Sequence, residues 1–150
     1  GPERSSFLDC IAEAAQYAGD KDVLFTMETG QETAALLRRT LDELKLPSLR
    51  VNFDPANMIL YDMGNPIEAI EILGADIAHV HAKDAKPPQE SGQWGEEVPL
   101  GEGSVGMAAF VEALDKAGYC GPLVVEREVG DQQERVAAIK QGISVLRGLA

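Results

Sequence analysis

Four side chains in the sequence are of types that bind divalent cations, and they return at intervals: Glu28, Asp54, His81 and Glu126. They stand 26 residues apart (28 to 54), then 27 (54 to 81), then 45 (81 to 126). The first two intervals are the length of one strand-plus-helix repeat. The Pro/Gly-rich stretch 86–103 accounts for the longer third. Carboxylate oxygens with one imidazole nitrogen suit Mn²⁺, Mg²⁺, Co²⁺ or Zn²⁺ and suit soft metals poorly. One divalent ion is therefore the expected cofactor. Singly, each residue has a plainer reading. Asp54 before Pro55 fits a turn former or helix cap, Glu126 in "EREVGD" a solvated loop, and a strand histidine a hydrogen-bonded core residue. Their common position in successive repeats argues for a shared site.

The elements that would position them follow from apolar spacing. Phe7, Ile11, Ala14 and Ala18 recur at helical intervals before Gly19. Strands follow at Val23–Met27, Leu49–Phe53, Ile77–His81 and Leu123–Glu126. Between them, Thr29 with Glu32 fits a capping box before the stripe Ala34, Leu37, Leu41 and Leu44. Asn65-Pro66-Ile67-Glu68 opens a helix ending at Gly74. Ser104 caps a helix carrying Met107, Phe110, Leu114 and Ala117. Asp131 with Glu134 opens the last helix, with Val136, Ile139, Ile143 and Leu146 on one face. One helix followed by four βα units predicts an α/β fold with a parallel sheet, closed as a barrel or left open and doubly wound. No GxGxxG follows the first strand, so dinucleotide binding has no support.

Each candidate ligand ends its strand, and the carboxyl ends of parallel strands form the functional face of such folds. Alternation puts Thr26, Asn52, His79 and Val124 on the same side, one layer below. His81 is then the ligand candidate, and His79 a hydrogen-bonded residue of the buried layer. Lys83 shares the side of His81 and projects above it, toward a substrate or into a salt bridge with Asp84. Trp94, the only tryptophan, lies in the long loop, where it can close over a bound ligand or merely pin the loop.

The 150 residues fit one domain with a substantial core. With 25 acidic against 13 basic residues, the net charge of −12 argues against nucleic acid and anionic membrane as partners. No apolar run approaches the ~20 residues of a membrane span, and no leader of the secretory type is visible. Cys10 and Cys120 lie far apart without CxxC spacing, as expected of reduced thiols in a cytoplasmic protein. Gly1-Pro2 reads as a remnant of tag cleavage, and residues 1–5 as foreign or flexible.

The motifs "TMETG", "VNFDPANM", "HVHAKDA", "VPLGEGSVG" and "LVVERE", in that order, resemble the sugar phosphate isomerase/epimerase family with the xylose-isomerase-like TIM barrel. The resemblance spans about residues 7–148 and covers the C-terminal half of the barrel, strands five to eight. It implies a divalent metal held by Glu28, Asp54, His81 and Glu126, the set the repeat spacing selects. It further implies proton transfer beside a carbonyl through an enediolate, with Glu28 and Glu126 as the acid/base pair. The substrate would be a sugar, sugar phosphate or related polyol, contacted by Asn57, Lys83 and Trp94. Ketose 3-epimerases of the family carry histidine where this chain has Asn57.

Half a barrel leaves two strand edges unpaired, which points to an N-terminal barrel half, a homodimer or another partner. Three other readings stand beside the isomerase. A dehydratase of inosose-type polyols would use the same site. A non-catalytic half-barrel would keep the strand-end residues without a complete pocket. A DNA-repair endonuclease needs more histidine ligands than the two present, and a less acidic surface.

Overall fold

The computed structural model describes residues 2–149. The chain runs α1 (Pro2–Gly19), β1 (Phe25–Glu28), α2 (Ala34–Leu44), β2 (Leu49–Phe53), α3 (Pro55–Leu60) and α4 (Pro66–Leu73). A 3₁₀ turn, Gly74–Asp76, then leads to β3 (Ile77–Ala82), β4 (Asp84–Lys86), β5 (Glu96–Val98), α5 (Met107–Lys116), β6 (Leu123–Val125) and α6 (Gln132–Arg147). Four strands pair in parallel in the order β1-β2-β3-β6, each next to its neighbour in the repeat, and β4-β5 form a separate antiparallel hairpin. This is the expected α/β arrangement of one helix and four βα units, a partial TIM barrel.

Alternation along the strands builds the core. Leu49, Val51 and Phe53 of β2 and Ile77, Val80 and Ala82 of β3 turn toward the helices and are buried. Phe53 stacks on Phe110 of α5 with ring centroids 5.9 Å apart, and neither ring is exposed. A register shift between Val51 and Asn52 sets Asn52 beside His79. The opposite side of the sheet carries the polar strand-end residues.

Several local expectations are corrected. Thr29 does not cap α2. Thr33 does, its hydroxyl accepting the Leu36 N–H, while the Thr29 hydroxyl is engaged by Asp54. Ser104 does not cap α5, which starts after Gly106 at φ 72° with no side-chain cap. The reason is Asp84, whose buried carboxylate accepts the N–H groups of Ala85, Gly101, Gly103 and Val105 and winds residues 101–105 around itself. Gly103 is required there, because a Cβ would lie 2.1 Å from Asp84 Oδ1. The hairpin and α3 are unanticipated. The Asn65 cap and the Asp131/Glu134 capping box are found as expected.

The terminal helices also differ. Phe7 is exposed, and Ala15 is the buried residue of α1, whose first turn takes in residues 2–5; Gly1 lies outside the described residues. On α6, Val136 and Ile143 are exposed and Gly142 is buried. A Cβ on Gly142 would meet Val125 Cγ1 at 2.8 Å, so the helix approaches β6 by its smallest residue, with Val145 and Leu146 packing partly buried beside it. Both β1 and β6 are edge strands, and exposed apolar side chains gather near them: Val23 and Leu24, and Val124. Among the described residues no helix is long and apolar enough to cross a membrane.

Replacing Asp84 by Ala strands four backbone donors, Ala85 in β4 and three in the 101–105 loop. At about 1–3 kcal/mol for each donor that stays buried, D84A is expected to lose at least ~3 kcal/mol in urea unfolding. A loss within 1 kcal/mol, roughly that of an ordinary surface substitution, would contradict this role.

Candidate metal centre

Asp54 is held from both sides of its own backbone. Thr29 Oγ1 donates to the Asp54 carbonyl at 2.7 Å and accepts the Asp54 N–H at 2.8 Å, tying the ends of β1 and β2 together. Asp54 is also the N-cap of α3: Oδ1 accepts from the N–H groups of Ala56 (2.8 Å) and Asn57 (3.0 Å). Capping fixes the carboxylate plane and leaves Oδ2 over. That atom is buried with no hydrogen-bond partner, and Lys83 Nζ is 3.6 Å away. The turn-former and ligand readings of Asp54 are thus compatible.

Around it stand the other three expected residues. One donor atom from each of Glu28, Asp54, His81 and Glu126 falls within 4.8 Å of all the others, the single such group among the described residues. His81 Nδ1 is 3.5 Å from Glu28 Oε1 and 3.4 Å from Glu126 Oε2. Those contacts are longer than ordinary hydrogen bonds. The orphaned Oδ2 and the hard O/N donor set together fit a divalent cation. All four residues could hold one.

The surroundings orient the set. Asn52 donates from Nδ2 to Glu28 Oε2 at 3.1 Å, in the layer below, as the alternation required. Asn57 donates from Nδ2 to Glu28 Oε1 at 3.0 Å. His79 is half-buried, its ring edge-on to His81 at 5.4 Å, rather than the buried hydrogen-bonded residue expected. Val124 is exposed at the sheet edge.

Lys83 lies beside the cluster and is only 1% exposed. Its Nζ donates to Glu126 Oε2 at 3.1 Å, to Glu128, and to Asn57 Oδ1 at 3.4 Å. The surface pair with Asp84 does not form. Burial opposes the charge of Lys83, but the hydrogen bond it donates to Glu128, the charge of Asp54 and the contacts with Glu126 outweigh it and raise its pKa above the ordinary value. Trp94 is 71% exposed and packs edge-on to Tyr61, centroids 5.3 Å apart, on the far end of the hairpin. Sequence reasoning missed Glu97 and Glu128. The alternation that set Lys83 above His81 also sets Glu128 beyond Glu126, so the second was within reach. Nothing local marked the first.

Burial pushes the Asp54 carboxyl up to about 7; Lys83 and the Asn57 N–H oppose this, and the charges of Glu28 and Glu126 add to it. The folded value lies above the ordinary one, so neutral Asp54 stabilises the metal-free fold. That contribution is complete below about pH 4 and is lost as pH rises through about 7.

The fold and site together define a four-stranded parallel partial barrel of β/α units with a candidate metal-binding carboxylate–histidine cluster at its strand ends. The chain belongs to the xylose isomerase-like TIM barrel family, whose model matches residues 2–149. L-ribulose-5-phosphate 3-epimerase UlaE of Escherichia coli (strain K12 / DH10B) is 30% identical over 127 residues, covering 82% of this chain and 43% of that protein. A xylose isomerase domain protein from Planctomyces limnophilus is similar with a TM-score of 0.95 at 37% identity, over 99% of this chain and 54% of that one. A xylose isomerase-like TIM barrel protein from Mycobacterium smegmatis, solved in complex with magnesium, shares the fold at TM-score 0.72 and 17% identity, over 98% of this chain and 52% of that one. The chain spans about half the length of these relatives.

In metal-free protein, thermal stability relative to Asp54→Asn is expected to fall between pH 5 and 8, and Mn²⁺ to reverse the fall. Parallel pH profiles for the two proteins would show that Asp54 does not titrate in this range.

Proposed function

We propose that this chain carries the metal centre and acid/base pair of an isomerase or epimerase that moves a proton beside the carbonyl of a sugar, sugar phosphate or related polyol. The observation that carries the reading is the convergence of Glu28, Asp54, His81 and Glu126 within 4.8 Å. The 30% identity to an L-ribulose-5-phosphate 3-epimerase supports the substrate class. A divalent ion bound by these four would polarise a substrate carbonyl and offset the negative charge that develops beside it.

The residues divide the work by exposure. Asp54 is wholly enclosed, so besides capping α3 it would hold the ion and take no part in proton transfer. The Glu28 and Glu126 side chains are 41% and 30% exposed, and they come from the two outer strands of the sheet. Glu28 takes or returns a proton on one side of the substrate carbon and Glu126 on the other. Removal and return on opposite faces inverts the centre, which is epimerisation. Asn57, bonded to Glu28, and Lys83, bonded to Glu126, border the substrate and keep each carboxylate in place. Trp94, packed on Tyr61 at the far end of the hairpin, would meet only the outer part of a bound substrate. The reaction belongs to a closed barrel, its remaining strands supplied by further polypeptide or a second copy that pairs with β1 and β6.

Exchange of the substrate α-proton in D₂O, with Mn²⁺ and a panel of ketoses, ketose phosphates and inososes, tests the reading. Glu28→Gln and Glu126→Gln should each slow exchange by about 10²–10⁴-fold at saturating metal, the range for general acid–base groups. Metal binding without exchange on any member of the panel would favour a non-catalytic half-barrel.

A further inference from the structure

Glu97 is absent from the ligand set, yet its side chain is only 5% exposed. It sits on β5, paired with Ala85 of β4, so the hairpin that begins right after Lys83 carries it back toward the site. Oε1 accepts from Arg127 Nη1 at 2.9 Å and from the backbone N–H of Glu128 at 3.0 Å. Its other oxygen lies 3.9 Å from Lys83 Nζ. One carboxylate therefore grips the two residues that follow Glu126, by a side chain and by the main chain.

That grip matters because little else holds this segment. The strand before it, β6, has three residues and one neighbour, β3. Its pairing reaches one bond further, from the Glu126 N–H to the Ala82 carbonyl at 3.2 Å. Past that bond, among the described residues, no strand pairs with residues 127–130. Glu97 begins where the ladder stops, and Arg127, 14% exposed, is the cation that makes its burial tolerable. Lys83 then joins the carboxylates of Glu126 and Glu128 across the same segment.

We infer that Glu97 is a positioning residue: the β4-β5 hairpin uses it to clasp the loop after β6, and the clasp holds the Glu126 carboxylate against His81 and Asp54. The effect on the metal centre rests on the function proposed above, whereas the clasp does not. A hairpin that only stabilised itself would leave residues 126–130 unaffected when Glu97 is changed.

Two measurements on the same variants decide it. In metal-free protein, hydrogen–deuterium exchange of residues 126–130 should rise about tenfold or more in Glu97→Ala, the signature of local opening, with residues 34–44 of α2 unchanged. Glu97→Gln keeps the size and one acceptor and stands in if the alanine variant does not fold. In Mn²⁺ titration, Glu97→Ala should weaken binding by about 10–100-fold, as for residues that orient metal ligands. The double variant with Glu126→Ala should bind no more weakly than Glu126→Ala alone. Unchanged exchange in 126–130, or losses that simply multiply in the double variant, would overturn the inference. A wild type that binds no Mn²⁺ would sink the metal centre, and the exchange measurement would still decide the clasp.

Discussion

Three carboxylates and an imidazole are packed around one point, and one of the carboxylates is cut off from water. Two like charges at 4 Å repel by about 4 kcal/mol in the effective dielectric of a protein surface. The arrangement therefore needs relief, either a proton on Asp54 in the metal-free protein or positive charge set against the cluster. Lys83 provides a fixed unit of positive charge from beside the cluster, in contact with Asp54 and Glu126. A divalent ion among the four donors would supply the rest, and the unpartnered oxygen of Asp54 points to where it is needed.

The fold spends much of its local structure on keeping those carboxylates in place. Thr29 welds the end of β1 to that of β2, and the α3 cap locks one oxygen of Asp54. Asp84, next to Lys83, gathers four N–H groups and folds the loop that leads into α5. The hairpin between them turns what reads as a long loop into a brace that reaches the loop after β6 through Glu97. Each device is a buried side chain bonded to main chain, where one geometry is favoured over its neighbours because an unpaired donor is expensive.

Periodicity exposed the repeat because it is local: strand and helix alternate every 26–27 residues between Glu28 and His81, so equal positions in the repeat fall at equal height in the barrel. That made Glu28, Asp54, His81 and Glu126 readable as a set without coordinates. What stayed hidden depends on contacts between distant segments. The Thr29 hydroxyl suits a helix cap until Asp54, 25 residues on, claims it. Ser104 suits one until Asp84 reorganises the residues before α5. On α6 the apolar stripe was legible but its inward edge was not, since Gly142 approaches Val125 more closely than any larger residue can. Glu97 lies in a stretch with no periodicity, and its partners are 30 and 31 residues away.

The central claim is that the four strand-end residues form one cation site, and calorimetric titration with Mn²⁺ tests it most directly. The account predicts a single ion per chain in the wild-type protein and loss of that binding in Asp54→Asn, whose removed charge belongs to the enclosed member of the set. Weak binding of equal strength in both proteins would contradict it.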